Sequence, residues 1–395
     1  MVLSVAFALN DKIKTLTPYD PICGAYPIRL DANESYIPFP DEVQAEMRKA
    51  LEETALNRYP DPYAQKVCGL FASFYGISPE LVTAGDGSDE LISIIMSAFL
   101  QKGDKVLTLA PDFSMYRFYT GIVECPCVTM EKNADFTIDP QRVIDTARRE
   151  GARLIVFSNP CNPTSVGLSA DDARKIIRGT DALVVLDEAY MDFWDQSLLR
   201  EAAQYDNLII LRTCSKAIGL AGIRLGFAVA NEMLTRVIRS VKSPYNVNSV
   251  SQALGCVAFS HPEQLRRNIE RLIVSREALY RLFQSLAADF PGKVEIVRPV
   301  TNFVWAKCER AGELFDALKR QGIIVRRMGE YLRVTAGRNH ENEKAADAIR
   351  FFYTEKDDWK YADFRTDAQH EGNARDCAPQ SGRRRRCNQY GRRLF

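Results

Sequence analysis

At 395 residues and 46% hydrophobic, the chain can bury a large core and points to two domains. A formal net charge of +1 gives no global case for nucleic-acid or membrane-surface binding. Ten cysteines are scattered without a disulfide framework, so reduced thiols in a cytoplasmic protein are the economical reading. Met1–Leu9 is apolar but short and lacks the basic start of a secretory segment. No apolar run reaches the length of a membrane span. Histidine occurs only at 261, 340 and 370, and Cys125-Pro126-Cys127 has no second cysteine pair at zinc spacing. Neither a histidine-based triad nor a metal site is therefore expected.

In chain order, residues 1–30 read as an irregular arm, extended or turned at Pro18 and Pro27. The spacing of apolar residues predicts a helix over Asp41–Leu51, with Asp41 as its N-cap after Pro40. Prolines force a loop at Asn57-Arg58-Tyr59-Pro60-Asp61-Pro62. Next, Ala84-Gly85-Asp86-Gly87-Ser88-Asp89-Glu90 opens an apolar helix, Leu91–Leu100. A glycine turn at a helix start exposes free backbone N–H groups and the positive end of the dipole, which suits a phosphate. The pattern fits neither the Walker loop nor the dinucleotide fingerprint. On spacing alone a plain capped helix is the commoner outcome.

A strand over Lys105–Leu109 is followed by Pro111-Asp112-Phe113-Ser114-Met115-Tyr116. From there to residue 229 strand-like runs alternate with helical ones: Val123–Val128, Pro140–Glu150, Leu154–Phe157, Ala170–Arg178, Leu183–Leu186, Leu208–Leu211 and Leu225–Val229. Such alternation indicates a mostly parallel sheet with helices on both faces. Long helices are expected from Glu232 through Leu286. Four further strands, Val294–Val297, Asn302–Ala306, Ile323–Arg326 and Tyr331–Thr335, then suggest a smaller α/β domain.

Three of the strand ends carry chemistry. Leu154–Phe157 leads into Ser158-Asn159-Pro160-Cys161-Asn162-Pro163-Thr164, and Leu183–Leu186 into Asp187-Glu188-Ala189-Tyr190. Leu208–Leu211 leads into Arg212-Thr213-Cys214-Ser215-Lys216, with small residues and then Arg224 beyond it. An amide, a carboxylate with a phenol, and a lysine thus fall in order where open parallel sheets collect ligands. A partly desolvated lysine amine can lose its proton and condense with an aldehyde. Each of these residues alone is more often a solvated turn or a helix cap; their joint order argues otherwise.

These motifs, Asn159–Thr164, Asp187–Tyr190 and Ser215–Gly226 with its Gly-Leu-Ala-Gly core, resemble those of the fold-type I pyridoxal-phosphate aminotransferases. Within them the chain is most similar to the histidinol-phosphate aminotransferase family, over about residues 15–353. The resemblance implies an α/β fold, with a large domain built on a mostly parallel seven-stranded sheet and a smaller α/β domain. The corresponding division is an arm over 1–33, a cofactor domain over 34–240, a small domain over 241–353 and a tail over 354–395. It implies Lys216 as the lysine that holds pyridoxal 5'-phosphate and moves the substrate proton. Asp187 would face the ring nitrogen, and Tyr190 and Asn162 the ring phenolate. Gly87, Ser88, Asp89, Thr213 and Arg224 would cradle the phosphate, with Tyr116 stacked on the ring. Tyr59 would reach the cofactor of a second subunit, giving a homodimer with shared sites. Tyr19, Asn33, Asn162, Arg326 and Arg333 would meet the substrate.

The reaction so implied moves an amino group from L-histidinol phosphate to the 2-oxo acid 2-oxoglutarate. Aromatic amino-acid aminotransferases and threonine-phosphate decarboxylases share this scaffold, and an inactive binding protein on the same fold is the reading from another class. Leu30-Asp31-Ala32-Asn33-Glu34 fits the family, but Ser35–Pro40 departs from its usual glycine-proline-serine on the substrate side. Beyond about Glu355 the chain turns polar and basic, ending in the arginine-rich stretch Gly382–Phe395. A basic tail suits RNA or an acidic surface. With suitable codons, the same bases read one position forward would also spell a peptide resembling an early stretch of imidazoleglycerol-phosphate dehydratase. A frameshifted, disordered remnant of a fused second enzyme is the favoured reading.

Overall fold

The computed structural model describes residues 7, 9–14, 16 and 22–354, so Tyr19 and the basic tail lie outside the described residues. A single turn, α1 (Asp11–Lys14), is followed by strand β1 (Ile28–Leu30) and helices α2 (Asp41–Glu52) and α3 (Gln65–Tyr75). The sheet-and-helix alternation then runs β2 (Val82–Asp86), α4 (Gly87–Phe99), β3 (Lys105–Ala110), α5 (Met115–Ile122), β4 (Cys127–Glu131) and α6 (Pro140–Glu150). It continues with β5 (Ala152–Ser158), α7 (Ala170–Gly179), β6 (Leu183–Asp187), β7 (Leu208–Thr213), β8 (Leu225–Ala230), α8 (Glu232–Val241) and α9 (Ser249–Phe259). Helix α10 (Pro262–Asp289) leads to β9 (Val294–Ile296), β10 (Phe303–Cys308), α11 (Ala311–Arg320), β11 (Ile323–Met328), β12 (Tyr331–Thr335) and α12 (Asn339–Thr354).

The larger sheet has seven strands in the order β2-β8-β7-β6-β5-β3-β4. Only β8 runs against the others, since it is antiparallel to both β2 and β7. The central strands β6, β7 and β8 are buried along nearly their whole length because both faces are covered. On β7, Leu208 and Ile210 join one core with α3, α6 and α7, while Ile209 and Leu211 join another with α4 and α8. Burying both faces fixes the register, since a one-residue slip would exchange the two cores.

The smaller sheet has the order β1-β11-β12-β10-β9. Val304, Ala306, Ile323, Val325, Leu332 and Val334 pack on α10, α11 and α12. Alternation sends Phe303, Trp305, Arg326, Arg333 and Thr335 to the opposite face. That face carries the polar chemistry described below.

Several local readings need correction. Asp41 is the first helical residue of α2; Pro40 holds the cap position and no side chain caps the helix. The strand expected from Val123 starts only at Cys127, because Val123 closes α5 and Glu124 takes a positive φ of 58°. The arm is not irregular throughout: Ile28–Leu30 pairs in parallel with Ile323–Val325. Helix α9 contributes Ala258 and Phe259 to the core that holds α3.

Candidate active site

The site forms where β2, β5, β6 and β7 end and β8 begins. Between Asp86 and Ser88 the chain turns from strand into helix at Gly87, whose φ is +80°. Glu90 accepts from the Asp86 N–H at 2.6 Å, which closes the first turn of α4 from the side. The remaining first-turn N–H groups have no intrahelical partners and point out of the helix end. Arg224, in the left-handed region at φ +50°, lies against that end: a Cβ on Gly87 would come 2.8 Å from its Nη2. Its Nη1 donates to Ser215 Oγ at 3.2 Å, and the Ser215 N–H donates to Thr213 Oγ1 at 3.1 Å. Gly226 completes the cradle, since a Cβ there would collide with the backbone of Gly87 and Ser88. A helix N-terminus, two hydroxyls and a guanidinium converge here, a donor set that fits a phosphate.

Asp187, at the end of β6, is buried and accepts from Tyr116 Oη at 2.7 Å and from the Ala189 N–H at 3.1 Å. Burial pushes its carboxyl up to about 6, against the pull of those two donors. A buried carboxylate of this kind is stabilised by a protonated ring nitrogen, which it in turn keeps protonated. Beneath it lies an ion network that ties β6 to β7. Arg212 Nε is 3.3 Å from Glu188 Oε2, and its Nη1 is 3.1 Å from Asp192 Oδ1. Tyr75 Oη also donates to Asp192, at 2.9 Å.

Lys216 is half-buried, and its Nζ donates to the Ala32 carbonyl at 2.9 Å, 5.9 Å from the centre of the Tyr190 ring. Among the described residues no carboxylate lies in ion-pair contact with it. Withdrawal from water lowers its pKa to about 8, with help from the positive charges of Arg333 and Arg224. Tyr190 Oη accepts from Asn33 Nδ2 at 2.8 Å, and Asn33 Oδ1 accepts from Thr335 Oγ1 at 3.0 Å. Arg333 donates to Asn162 Oδ1 and to the Asp31 carbonyl, each at 2.6 Å. The small sheet thereby reaches the ends of β5 and β6.

Of the residues singled out from sequence, Gly87, Ser88, Thr213 and Arg224 converge on the cradle. Asn33, Asn162, Asp187, Tyr190, Lys216 and Arg333 are linked or adjacent around the lysine. Arg326 is the cross-strand partner of Arg333. The Asp89 side chain turns away to Tyr119 Oη, 2.9 Å distant, so only its backbone can serve the cradle. Tyr116 is fully enclosed and bound to Asp187, so its ring presents no open face. Phe113, half-buried and edge-on to Tyr116 at 5.5 Å, is the aromatic of this loop with exposed surface. Tyr59 is 81% exposed and stacks on Tyr245 at 4.4 Å. Sequence reasoning missed Ser215, although a hydroxyl directly before the lysine is a visible signal. It also missed Phe113 and the Arg212–Glu188–Asp192 network, whose charges interrupt otherwise apolar strand ends.

The fold and this site define a pyridoxal-phosphate aminotransferase, with cradle, buried carboxylate and lysine all fitting that cofactor. Residues 26–349 match the aminotransferase class I and II family. The chain is 37% identical over 343 residues to the histidinol-phosphate aminotransferase of Clostridium novyi (strain NT), covering 86% of this chain and 95% of that protein. It is 33% identical over 345 residues to the histidinol-phosphate aminotransferase of Thermococcus gammatolerans, covering 86% and 96%. The crystal structure of the Sinorhizobium meliloti histidinol-phosphate aminotransferase in complex with pyridoxal-5'-phosphate superposes with a TM-score of 0.78. That match has 22% identity and covers 88% of this chain and 99% of that one. This chain belongs to the histidinol-phosphate aminotransferase family of class I and II aminotransferases.

Proposed function

We propose that the chain transfers the amino group of L-histidinol phosphate to 2-oxoglutarate, giving imidazole acetol phosphate and glutamate in histidine biosynthesis. The observation that carries this reading is the placement of Arg326 and Arg333 on one face of the small sheet, with Arg333 bound to Asn162 beside Lys216. Two guanidinium forks there suit the substrate phosphate in one half-reaction and a carboxylate of 2-oxoglutarate or glutamate in the other. The names of the relatives support the same substrate.

Bound pyridoxal phosphate supplies the electron sink for the bond that breaks at the substrate carbon bearing the amine. Asp187 would hold the proton on the ring nitrogen. Tyr190 and Asn162 would donate to the ring phenolate, and Phe113 would cover the ring in place of Tyr116. Ser215 would join Gly87, Ser88, Asp89, Thr213 and Arg224 at the phosphate. Lys216 Nζ, poised near neutral pH by its depressed pKa, takes the proton from the substrate carbon and returns it. Asn33 completes the substrate side, and Tyr19, outside the described residues, is proposed to join it on its sequence motif alone.

The same proposal includes a cytoplasmic homodimer, with a cofactor domain on the seven-stranded sheet and a smaller domain on the five-stranded one. Exposed Leu56, Tyr59, Tyr63 and Tyr245 supply an apolar surface for the second subunit. No helix among the described residues is long and apolar enough to cross a membrane. The test is direct: protein incubated with histidinol phosphate and 2-oxoglutarate should release glutamate, and omission of either substrate should abolish it. Failure to form glutamate with cofactor-loaded protein would refute the assignment.

A further inference from the structure

Outside the Lys216 site, one buried cluster holds reactive groups that the aminotransferase reading leaves unused. The neighbouring parallel strands β5, β3 and β4 each release one group at their carboxyl ends: Cys161, Asp112 and Lys132. Lys132 Nζ donates to the Pro111 carbonyl at 2.9 Å, to Asp112 Oδ2 at 3.2 Å and to Cys161 Sγ at 2.9 Å. The side chains of Lys132 and Asp112 are 1% and 2% exposed, and Cys161 is 1% exposed. Ser158 Oγ donates to the other oxygen of Asp112. Burial works against the Lys132 ammonium, but Asp112 and the Cys161 sulfur outweigh it and raise its pKa.

A buried ammonium and carboxylate require each other, and that part of the cluster is structural. The third donor is a different matter. It is spent on a thiol, a weak acceptor, and it sets an amine nitrogen in direct contact with a sulfur. No other group intervenes between these two nucleophiles. Cys161 also lies in the loop that carries half-buried Asn162, the partner of Arg333, so the cluster backs directly onto the cleft.

We propose that Cys161 and Lys132 form an oxidation-sensitive pair, joined covalently by hydrogen peroxide and separated again by a thiol reductant. In the first step the Cys161 thiol releases its proton to solvent, and the resulting thiolate attacks one peroxide oxygen. The S–O bond forms, the O–O bond breaks, and the departing hydroxide takes a proton from the Lys132 ammonium as water. The freed amine then attacks the sulfenic sulfur, as sulfenic acids do with nearby nitrogen. The N–S bond forms, the S–O bond breaks, and hydroxide leaves with an N–H proton as a second water. Sulfur is oxidised by two electrons, and one peroxide is reduced to two waters. Two equivalents of thiol reverse the link, regenerating thiol and amine and leaving with a disulfide of their own. Burial first, and Asp112 second, raise the Cys161 thiol, so the link forms slowly.

The consequence for the site follows from position. The link removes the cation that compensates Asp112 and ties the Ser158–Thr164 loop to the end of β4. Asn162 and Phe113, each one residue from a member of the cluster, would be displaced with it. Peroxide should therefore lower activity without touching Lys216.

The experiment uses the full chain with its cofactor. Protein is treated with hydrogen peroxide, free thiols are alkylated, and the digest is analysed by mass spectrometry. The peptides containing Lys132 and Cys161 should be joined, two hydrogen masses below their sum, and should separate on treatment with dithiothreitol. Activity should fall as the link accumulates and return with reduction. Lys132→Arg should abolish the link while leaving Cys161 open to stepwise oxidation. Cys161→Ser should remove the reductant-reversible part of the activity loss, leaving only what exposed Cys23 and the other thiols contribute. Cys161 oxidised to sulfinic acid beside a free Lys132 peptide would overturn the proposal. So would a Cys161 that stays alkylatable while reversible inactivation proceeds. The mass measurement needs no turnover, so its outcome is independent of the substrate assignment.

Discussion

Arg326 and Arg333 stand directly opposite each other on the antiparallel strands β11 and β12, and therefore project from the same face of the small sheet. A phosphate held between two such forks receives charge-assisted contacts worth about 1.5–3 kcal/mol each. Arg333→Ala should thus lower kcat/KM for histidinol phosphate tenfold or more. Because Arg333 also anchors Asn162 and Asp31, the control is L-histidinol without its phosphate. That donor should lose far less, and an equal loss for both would mean that Arg333 serves only to hold the loop.

The depressed pKa of Lys216 sets a pH dependence. Burial, Arg333 and Arg224 all disfavour its ammonium, so the reactive free amine appears as pH rises through about 8. The rate at which cofactor-free protein captures pyridoxal phosphate should rise over that range. Arg333→Gln removes one repelling charge, so the ammonium persists to higher pH and the midpoint should move upward. Stopped-flow absorbance across a pH series checks this, and an unmoved midpoint would exclude the electrostatic coupling.

Gly226 lets β8 pass against the start of α4. A Cβ at this position would stand 2.5 Å from the Gly87 carbonyl carbon and 3.1 Å from the Arg212 carbonyl oxygen, both rigid backbone. Gly226→Ala should cost about 1–3 kcal/mol by overpacking. It should also weaken cofactor binding severalfold, measured as a lower melting temperature and a raised Kd. Gly222→Ala, where a Cβ meets nothing within 4 Å, is the matched control.

The strand ends that build the site were legible because each is an apolar run broken abruptly by polar residues. Asp187 and Lys216 follow the apolar runs Leu183–Leu186 and Leu208–Leu211, and the joint order of these strand ends, together with the motif resemblance, pointed to them. Other features depend on distant pairing. Strand β1 is three residues long and exists because it pairs with β11 near the other end of the chain. The Lys132–Asp112–Cys161 cluster needs the strand order β5-β3-β4, which departs from chain order. Tyr116 and Phe113 sit three residues apart on one loop and helix start. Which of the two is enclosed is decided by the hydrogen bond from Tyr116 to Asp187, a contact between residues 71 positions apart.

Tyr59, exposed and stacked on Tyr245, offers a test of shared sites. Chains carrying Lys216→Ala, mixed with chains carrying Tyr59→Phe under conditions of subunit exchange, should form heterodimers with one unaltered site. Activity in the mixture should exceed the sum of its parents. A mixture no more active than its parents, with exchange verified by native mass spectrometry, would rule out a contribution of Tyr59 across the interface.

The most direct measurement compares kcat/KM of the unsubstituted protein for histidinol phosphate, phenylalanine and threonine phosphate, with 2-oxoglutarate as acceptor where transamination is followed. Two converging arginines beside a lysine-centred site favour a phosphate-bearing amine, and histidinol phosphate should be transaminated most efficiently. Preference for phenylalanine, or decarboxylation of threonine phosphate as the dominant reaction, would contradict the assignment.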